Sequence, residues 1–276
     1  MKTNLTPEQL AKYFDQSLLK AYASDEDFKQ FCAECAAYGF KMAAINSVPT
    51  KKCKAYLAGS DVLVGAAIGF PLGQTTVENK VHETEQAIAD GADEIDYVAN
   101  IGELKSGNLA YVEDEMRRSV AVCRAHGKTV KVIFENCYLT DEEKRTMCEI
   151  ARRVKPDFVK TSTGFGTPRA GVPSGATVED IRLMKSIVGD EVKVKAAGGV
   201  RKLFKGRIST DAVFLCKLDL NGIDVVDTAK VSDVALKYIS GVPATHSAVS
   251  DDGAACFLYV FNFAHSFASQ FRIDCR

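Results

Sequence analysis

No charge of either sign dominates this chain: 35 Lys and Arg stand against 36 Asp and Glu, a net charge of −1 at pH 7. Proteins that grip nucleic acid or another polyanion carry a basic excess, so neither is an expected partner. Long apolar runs are missing as well. The N-terminus, MKTNLTPEQLAKYF, is polar and amphipathic and lacks the apolar stretch of a signal peptide. The most apolar part of the tail, residues 254–271, is interrupted by Asn262, His265, Ser266, Ser269 and Gln270. It falls short of the ~20 apolar residues that a spanning helix needs. No membrane partner and a cytoplasmic location are therefore expected. A disulfide framework is absent too, since nine scattered cysteines read as reduced thiols. Cys32 and Cys35 form a CxxC, but Phe28, Phe31, Cys32 and Cys35 recur at helical spacing and are expected to face a core rather than to do redox chemistry. The four histidines, at 82, 126, 246 and 265, show neither HExxH nor a paired spacing, so no metal and no cofactor are expected. His82 and His126 fall in expected helices, as surface residues. GxSxG, P-loop and GxGxxG motifs, internal repeats and low-complexity tracts are all missing.

What is present is an alternation. With 46% hydrophobic and 26% charged residues over 276 positions, the chain can bury a sizeable core in one large or two modest domains. Short runs rich in Val, Ile, Phe and Ala occupy Asp15–Leu19, Met42–Asn46, Val62–Phe70, Glu94–Asn100, Val130–Glu135, Phe158–Thr163 and Val192–Ala197. Strands buried on both faces have this composition. Amphipathic stretches with readable ends lie between them. Ser24, with Asp27 three residues on, opens one helix and Gly39 ends it. Thr140 before Asp141, Glu142 and Glu143 is a capping box, and Thr177 caps another helix. Gly91 closes the helix that holds Val81 and Ile88. Parallel strands joined by helical crossovers follow from this order. Seven of them in about 200 residues predict an α/β fold, a (β/α)₈ TIM barrel. An open doubly wound sheet is disfavoured, because no glycine-rich turn follows the first strand.

After Arg201 the rhythm weakens. The expected organisation is a barrel domain over 1–203 and a divergent segment over 204–276. Within the latter, Thr210–Leu220 is a candidate helix, Ile223–Asp227 a candidate short strand, Val231–Ile239 a candidate helix and Gly241–Gly253 a loop.

Charged residues inside apolar strands are costly unless paired or functional. Lys160 stands in FVKTST, Lys195 in VKVKAAG, Asp96 in EIDYVAN and Lys131 in VKVIFE. One reading is a buried ion-pair network in which Asp96 and Glu135 neutralise the lysines. The other is chemistry. A lysine amine is nucleophilic only when neutral, and its free pKa is ~10.4. Burial and a neighbouring cation both lower that value, and Lys160 and Lys195 on adjacent strands supply both. Asp96, with a water, is then placed to move protons. Gly164 and the pair Gly198–Gly199 follow Lys160 and Lys195 closely. Their backbone N–H groups at strand ends suit a phosphate.

Seven segments in order, DQSLLK (15–20), IGFPLG (68–73), GADEIDYVANIGELKSG (91–107), VKVIFENCYLTDEEK (130–144), DFVKTSTGFGT (157–167), ATVEDIRLMK (176–185) and VKAAGGVR (194–201), carry a resemblance to the 2-deoxyribose-5-phosphate aldolase family. The resemblance implies a class I aldolase that needs no metal or other cofactor and takes a small sugar phosphate, with a homodimer as the expected assembly. It implies Lys160 as the Schiff-base lysine, Lys195 as the lysine that tunes it, Asp96 as the proton relay and Lys131 as a basic partner. Gly164, Gly198 and Gly199 would form part of the phosphate cradle. The chain also departs from the family pattern, at Gln16, Ser17, Ala44 and Ala197. Lys193 shares strand parity with Lys195 and is expected to look into the barrel. The family's eighth strand and serine-bearing phosphate loop are not legible and are expected to be missing or replaced. Three readings follow. In one, Ile223–Asp227 closes the barrel, with Thr228 a weak substitute for the lost serines. In another, the segment after 202 comes from an altered reading frame. In the third, the chain is a catalytically weak or inactive barrel that serves as a scaffold or binds a partner.

Overall fold

A computed structural model describes residues 7–198 and the strand segments 202–204, 207–209 and 223–228. The chain divides into two compact units, Met1–Ser240 and Gly241–Arg276, and the second lies outside the described residues. So do the expected helices at 210–220 and 231–239.

The strands are β1 (Asp15–Leu18), β2 (Met42–Asn46), β3 (Leu63–Ile68), β4 (Glu94–Val98), β5 (Thr129–Ile133), β6 (Phe158–Lys160), β7 (Lys193–Ala197), β8 (Lys202–Phe204), β9 (Arg207–Ser209) and β10 (Ile223–Thr228). Eight of them form a closed barrel in the order β1-β10-β7-β6-β5-β4-β3-β2, with every pairing parallel. The eighth strand, expected to be missing or replaced, is therefore supplied by Ile223–Thr228. It pairs with β7 through a register shift between Val225 and Asp227, and with β1 at Asp15 and Gln16. A bulge of this kind bends a strand and lets a sheet turn a corner. Closure removes the open edges that seven strands would have left. An antiparallel pairing of β8 with β9 was not anticipated from the sequence.

The helices among the described residues are α1 (Pro7–Ala11), α2 (Asp25–Tyr38), α3 (Thr50–Tyr56), α4 (Val77–Ala89), α5 (Ile101–Lys105), α6 (Leu109–Ala125), α7 (Asp141–Val154) and α8 (Val178–Val188). Their ends fall where the sequence signals place them. Ser24 and Asp27 form a capping box and Gly39 caps α2 in the left-handed region at φ 62°. Thr140 and Glu143 form a second box, and Thr177 accepts from the Asp180 N–H. Cys32 and Cys35 face the core from α2 as free thiols.

Alternate strand residues point to opposite faces. Ala43, Ile45, Val64, Ala66, Ile95, Tyr97, Val130, Val132, Val159, Val194 and Ala196 pack outward against the helices in one hydrophobic cluster. The inward positions are different in kind: they carry Asp15, Glu94, Asp96, Lys131, Lys160 and Lys195, all buried.

Two devices hold the outer layer to the end of β4. Lys80 of α4 donates to Glu115 Oε1 of α6 at 2.5 Å and to the Val98 carbonyl at 2.7 Å. Glu115 Oε2 accepts from the Asn100 N–H at 2.9 Å. Burial lowers the Lys80 ammonium and raises the Glu115 carboxyl, and their mutual attraction opposes both shifts. The second device is Gly73, at φ 67°. A Cβ there would lie 2.3 Å from the Ala99 carbonyl oxygen, a backbone atom that cannot swing aside. Gly73→Ala is expected to cost on the order of 3 kcal/mol through strain and overlap, read as a lowered urea midpoint. A midpoint equal to the parent would refute the close approach.

Candidate active site

Among the described side chains, six inward charged groups come from five strands. β1 supplies Asp15, β4 supplies Glu94 and Asp96, β5 supplies Lys131, β6 supplies Lys160 and β7 supplies Lys195. Register brings them together: Asp96 is the Cα partner of Lys131, and Lys160 is the partner of Lys195. The two lysines thus share one face of adjacent strands. All six are between 0% and 5% exposed, so any net charge among them would be heavily penalised.

Asp96 is the centre of the network. Its Oδ1 accepts from Lys131 Nζ at 2.9 Å and its Oδ2 from Lys160 Nζ at 2.8 Å. Lys131 also donates to Glu94 and lies 3.7 Å from Asp15 Oδ2. Lys195 Nζ sits 3.0 Å from the same Asp15 oxygen, an ion pair not aligned as a hydrogen bond, and donates to the Tyr13 carbonyl at 3.2 Å. Asp15, Glu94 and Asp96 therefore stand against Lys131, Lys160 and Lys195, with equal numbers of each sign among the described residues.

Burial pushes the Asp96 carboxyl upward, but Lys131 and Lys160 together outweigh it and hold it well below the usual range. For Lys131, burial works downward, and the attraction of Asp96, Glu94 and Asp15 holds its ammonium well above its ordinary value. The signs fix a stability window. The depressed carboxyl contributes stability that is fully present above ~3.9 and is lost as pH falls through its folded value. The raised ammonium contributes stability that is fully present below ~10.4 and is lost as pH rises through its folded value. Urea midpoints are expected to show no step from this pair between about pH 4 and pH 10. A step near neutrality that disappears in Asp96→Asn would contradict the assignment.

Among the expected phosphate-binding glycines, Gly164 and Gly198 come together. Both have positive φ, 83° and 76°, and a Cβ on Gly198 would lie 3.6 Å from Gly164 Cα and 3.1 Å from Gly175 Cα. The left-handed backbone at both positions, and the tight approach of Gly198 to Gly175, favour glycine there. Gly199 lies outside the described residues. Beneath them Thr161 ties β6 to β7: its Oγ1 donates to the Ala197 carbonyl and accepts from the Ala197 N–H.

Three expectations need correction. Glu135 is buried and accepts hydrogen bonds from the Thr163 N–H, at 3.1 Å, and from the Thr163 hydroxyl, while the Lys160 charge acts on it only as one of the smaller of several influences. Lys193 does not form a buried charge. As the first residue of β7 it stands exposed at the barrel's lower rim, with Nζ 5.0 Å from the centre of the Phe158 ring. Asp15 and Glu94, which carry two of the three negative charges, were not singled out. Their signal was available, since each is an acid at an inward position of a strand whose neighbours are apolar. His82 is exposed on α4 as expected, and His126 is exposed just past the end of α6 rather than within a helix. No group of His, Cys, Asp and Glu among the described residues is arranged to hold a metal ion. No described helix is long and apolar enough to cross a membrane.

Comparison with known proteins adds the lineage. The DeoC/LacD family aldolase model matches residues 9–215. The chain belongs to that family. The matched span takes in Asp96, Lys131, Lys160 and Lys195 and stops before β10. A deoxyribose-phosphate aldolase of Lactobacillus acidophilus is 54% identical over 196 residues, 71% of this chain and 80% of that protein. One of Thermococcus kodakarensis is 49% identical over 199 residues, 71% of this chain and 86% of that protein. The solved deoxyribose phosphate aldolase of Aeropyrum pernix, described as tetrameric, superposes with a TM-score of 0.72 at 30% identity, over 86% of this chain and 94% of that one. A structure described as the aldolase QR15 gives 0.72 at 31% identity, over 83% and 96%. The likeness of fold to these two structures covers a larger share of the chain than the likeness of sequence to the two aldolases above.

Proposed function

We propose that this family member reversibly cleaves 2-deoxy-D-ribose 5-phosphate to D-glyceraldehyde 3-phosphate and acetaldehyde through a Schiff base on Lys160. The observation that carries the reading is the placement of Lys160: buried, 2.8 Å from Asp96, and paired in register with Lys195. Neutral Lys160 Nζ attacks the C1 aldehyde, and the carbinolamine loses water to give an iminium. The C2–C3 bond then breaks. Its electron pair moves onto C2 to form the enamine, and the C3 hydroxyl proton passes to Asp96 through a water as the new aldehyde forms. Protonation at C2 and hydrolysis release acetaldehyde and restore the amine.

Charge coupling supports the division of labour. With both lysines charged, Asp96 is a weak base. The iminium keeps a positive charge at Lys160 until the C2–C3 electron pair discharges it into the neutral enamine, and at that point one of the two cations that depress Asp96 is gone. Its carboxyl then moves back toward the range in which it can take a proton. Lys131 stays charged, anchors the other oxygen and keeps the carboxylate in place. Lys195, in register with Lys160 on the adjacent strand, is assigned the second positive charge that disfavours the protonated form of Lys160. Gly164, Gly198 and Gly199 are assigned to the phosphate. A homodimer and a cytoplasmic location belong to the same proposal; a doubly charged ester crosses membranes poorly and is met where it is made. Sedimentation velocity distinguishes a dimer from the tetramer described for the Aeropyrum pernix relative.

The test is borohydride reduction in the presence of substrate, followed by peptide mapping. An adduct on Lys160, with acetaldehyde released in parallel, is the expected outcome. Folded protein that forms no adduct and releases no acetaldehyde would favour the scaffold reading instead.

A further inference from the structure

Glu135 lies just past β5, at the barrel mouth beside Lys160. Its backbone is left-handed, φ 55° and ψ 63°, a conformation that side-chain-bearing residues rarely hold. We propose that Glu135 is a positioning residue: its carboxylate pins the Thr163–Gly166 segment after β6, and through it the glycine wall that receives the substrate's phosphate, and so sets selectivity for the phosphorylated sugar. The inference rests on the aldolase reading above and concerns a residue that reading leaves without a role.

Each contact is directional. Oε2 accepts from the Thr163 backbone N–H and from its hydroxyl, and the Thr163 hydroxyl oxygen in turn accepts from the Phe165 N–H at 2.9 Å. The backbone on both sides of Gly164 is thus hung from one carboxylate. Oε1 lies 3.6 Å from the Cys137 thiol. The loop returns over this carboxylate at Gly166, where a Cβ would fall 2.5 Å from Cys137 Sγ and 3.2 Å from Glu135 Cδ. From the other side Gly198 closes on Gly164, so a shift of the segment would open the gap between the two glycines. A bare carboxylate near a phosphate would repel it. Here the charge is directed into Thr163 instead, so the role is placement of the loop and not attraction of the ligand.

The experiment uses the full chain, its Glu135→Gln, Glu135→Ala and Thr163→Val variants, and two readouts. One is calorimetric binding of glycerol 3-phosphate, which has a phosphate and no aldehyde. The other is the ratio of kcat/KM for 2-deoxyribose 5-phosphate to that for 2-deoxyribose. Glu135→Ala and Thr163→Val are expected to weaken glycerol 3-phosphate binding about tenfold and to lower the ratio by about the same factor. Glu135→Gln, which keeps an acceptor for Thr163, should lose less. An unchanged ratio, equal losses on both sugars, or tighter phosphate binding by Glu135→Gln would each overturn the proposal. If Glu135→Ala fails to fold, the other two variants decide. A parent protein that binds glycerol 3-phosphate but releases no acetaldehyde sinks the aldolase reading alone.

Discussion

Replacing Lys160 with alanine is expected to lower kcat for acetaldehyde release by about a thousandfold or more, because the covalent route is removed and not merely slowed. The protein should still fold. Asp96 keeps Lys131 on its Oδ1, so the carboxylate that loses Lys160 is not left without a buried cation. The unmatched buried acid is expected to lower the urea midpoint, and a circular dichroism spectrum like the parent's would show that the loss of activity is chemical. A variant that retains more than about a tenth of the parent rate would remove Lys160 from the nucleophile's role.

The largest expected effect on stability lies outside the barrel interior. Glu115→Ala leaves the Lys80 ammonium in a site where both partners are fully buried. Breaking a buried pair by removing one partner costs about 3–5 kcal/mol. For a domain of this size that corresponds to a fall in Tm of roughly 10 °C. The double variant Lys80→Met/Glu115→Leu removes both charges and keeps volume. It should recover most of the loss, since apolar replacement of a buried pair is often close to neutral. Full additivity of the two single changes would mean that the pair does not act as a unit.

Seven strands were legible because parallel strands covered on both faces read as apolar runs. The positions of Lys131, Lys160 and Lys195 stood out against that background for the same reason. β10 was harder. Its sequence, IDVVDT, carries two acids in six residues and a register shift, so neither alternation nor a continuous apolar run marks it clearly. Lys193 shows the limit of parity. Parity says which face a side chain takes, but depth along the barrel decides whether that face is dry, and Lys193 stands exposed at the rim. Glu135 misled for a different reason: an acid at a strand end next to lysines suggests a counterion, whereas left-handed backbone turns this one toward Thr163. Nothing in the residue type announces that turn.

The inward charges have a consequence for how such a chain can change over generations. Among the described side chains, five strands, from residue 15 to residue 195, each contribute a sign, and no two of these strands consecutive in the chain hold a balanced set by themselves. Recombination that imported one strand-helix unit from a cousin with a different distribution would bring in a surplus of one sign and strand it in the dry centre. The heritable module is therefore the whole ring. Its interior positions move only in compensating pairs.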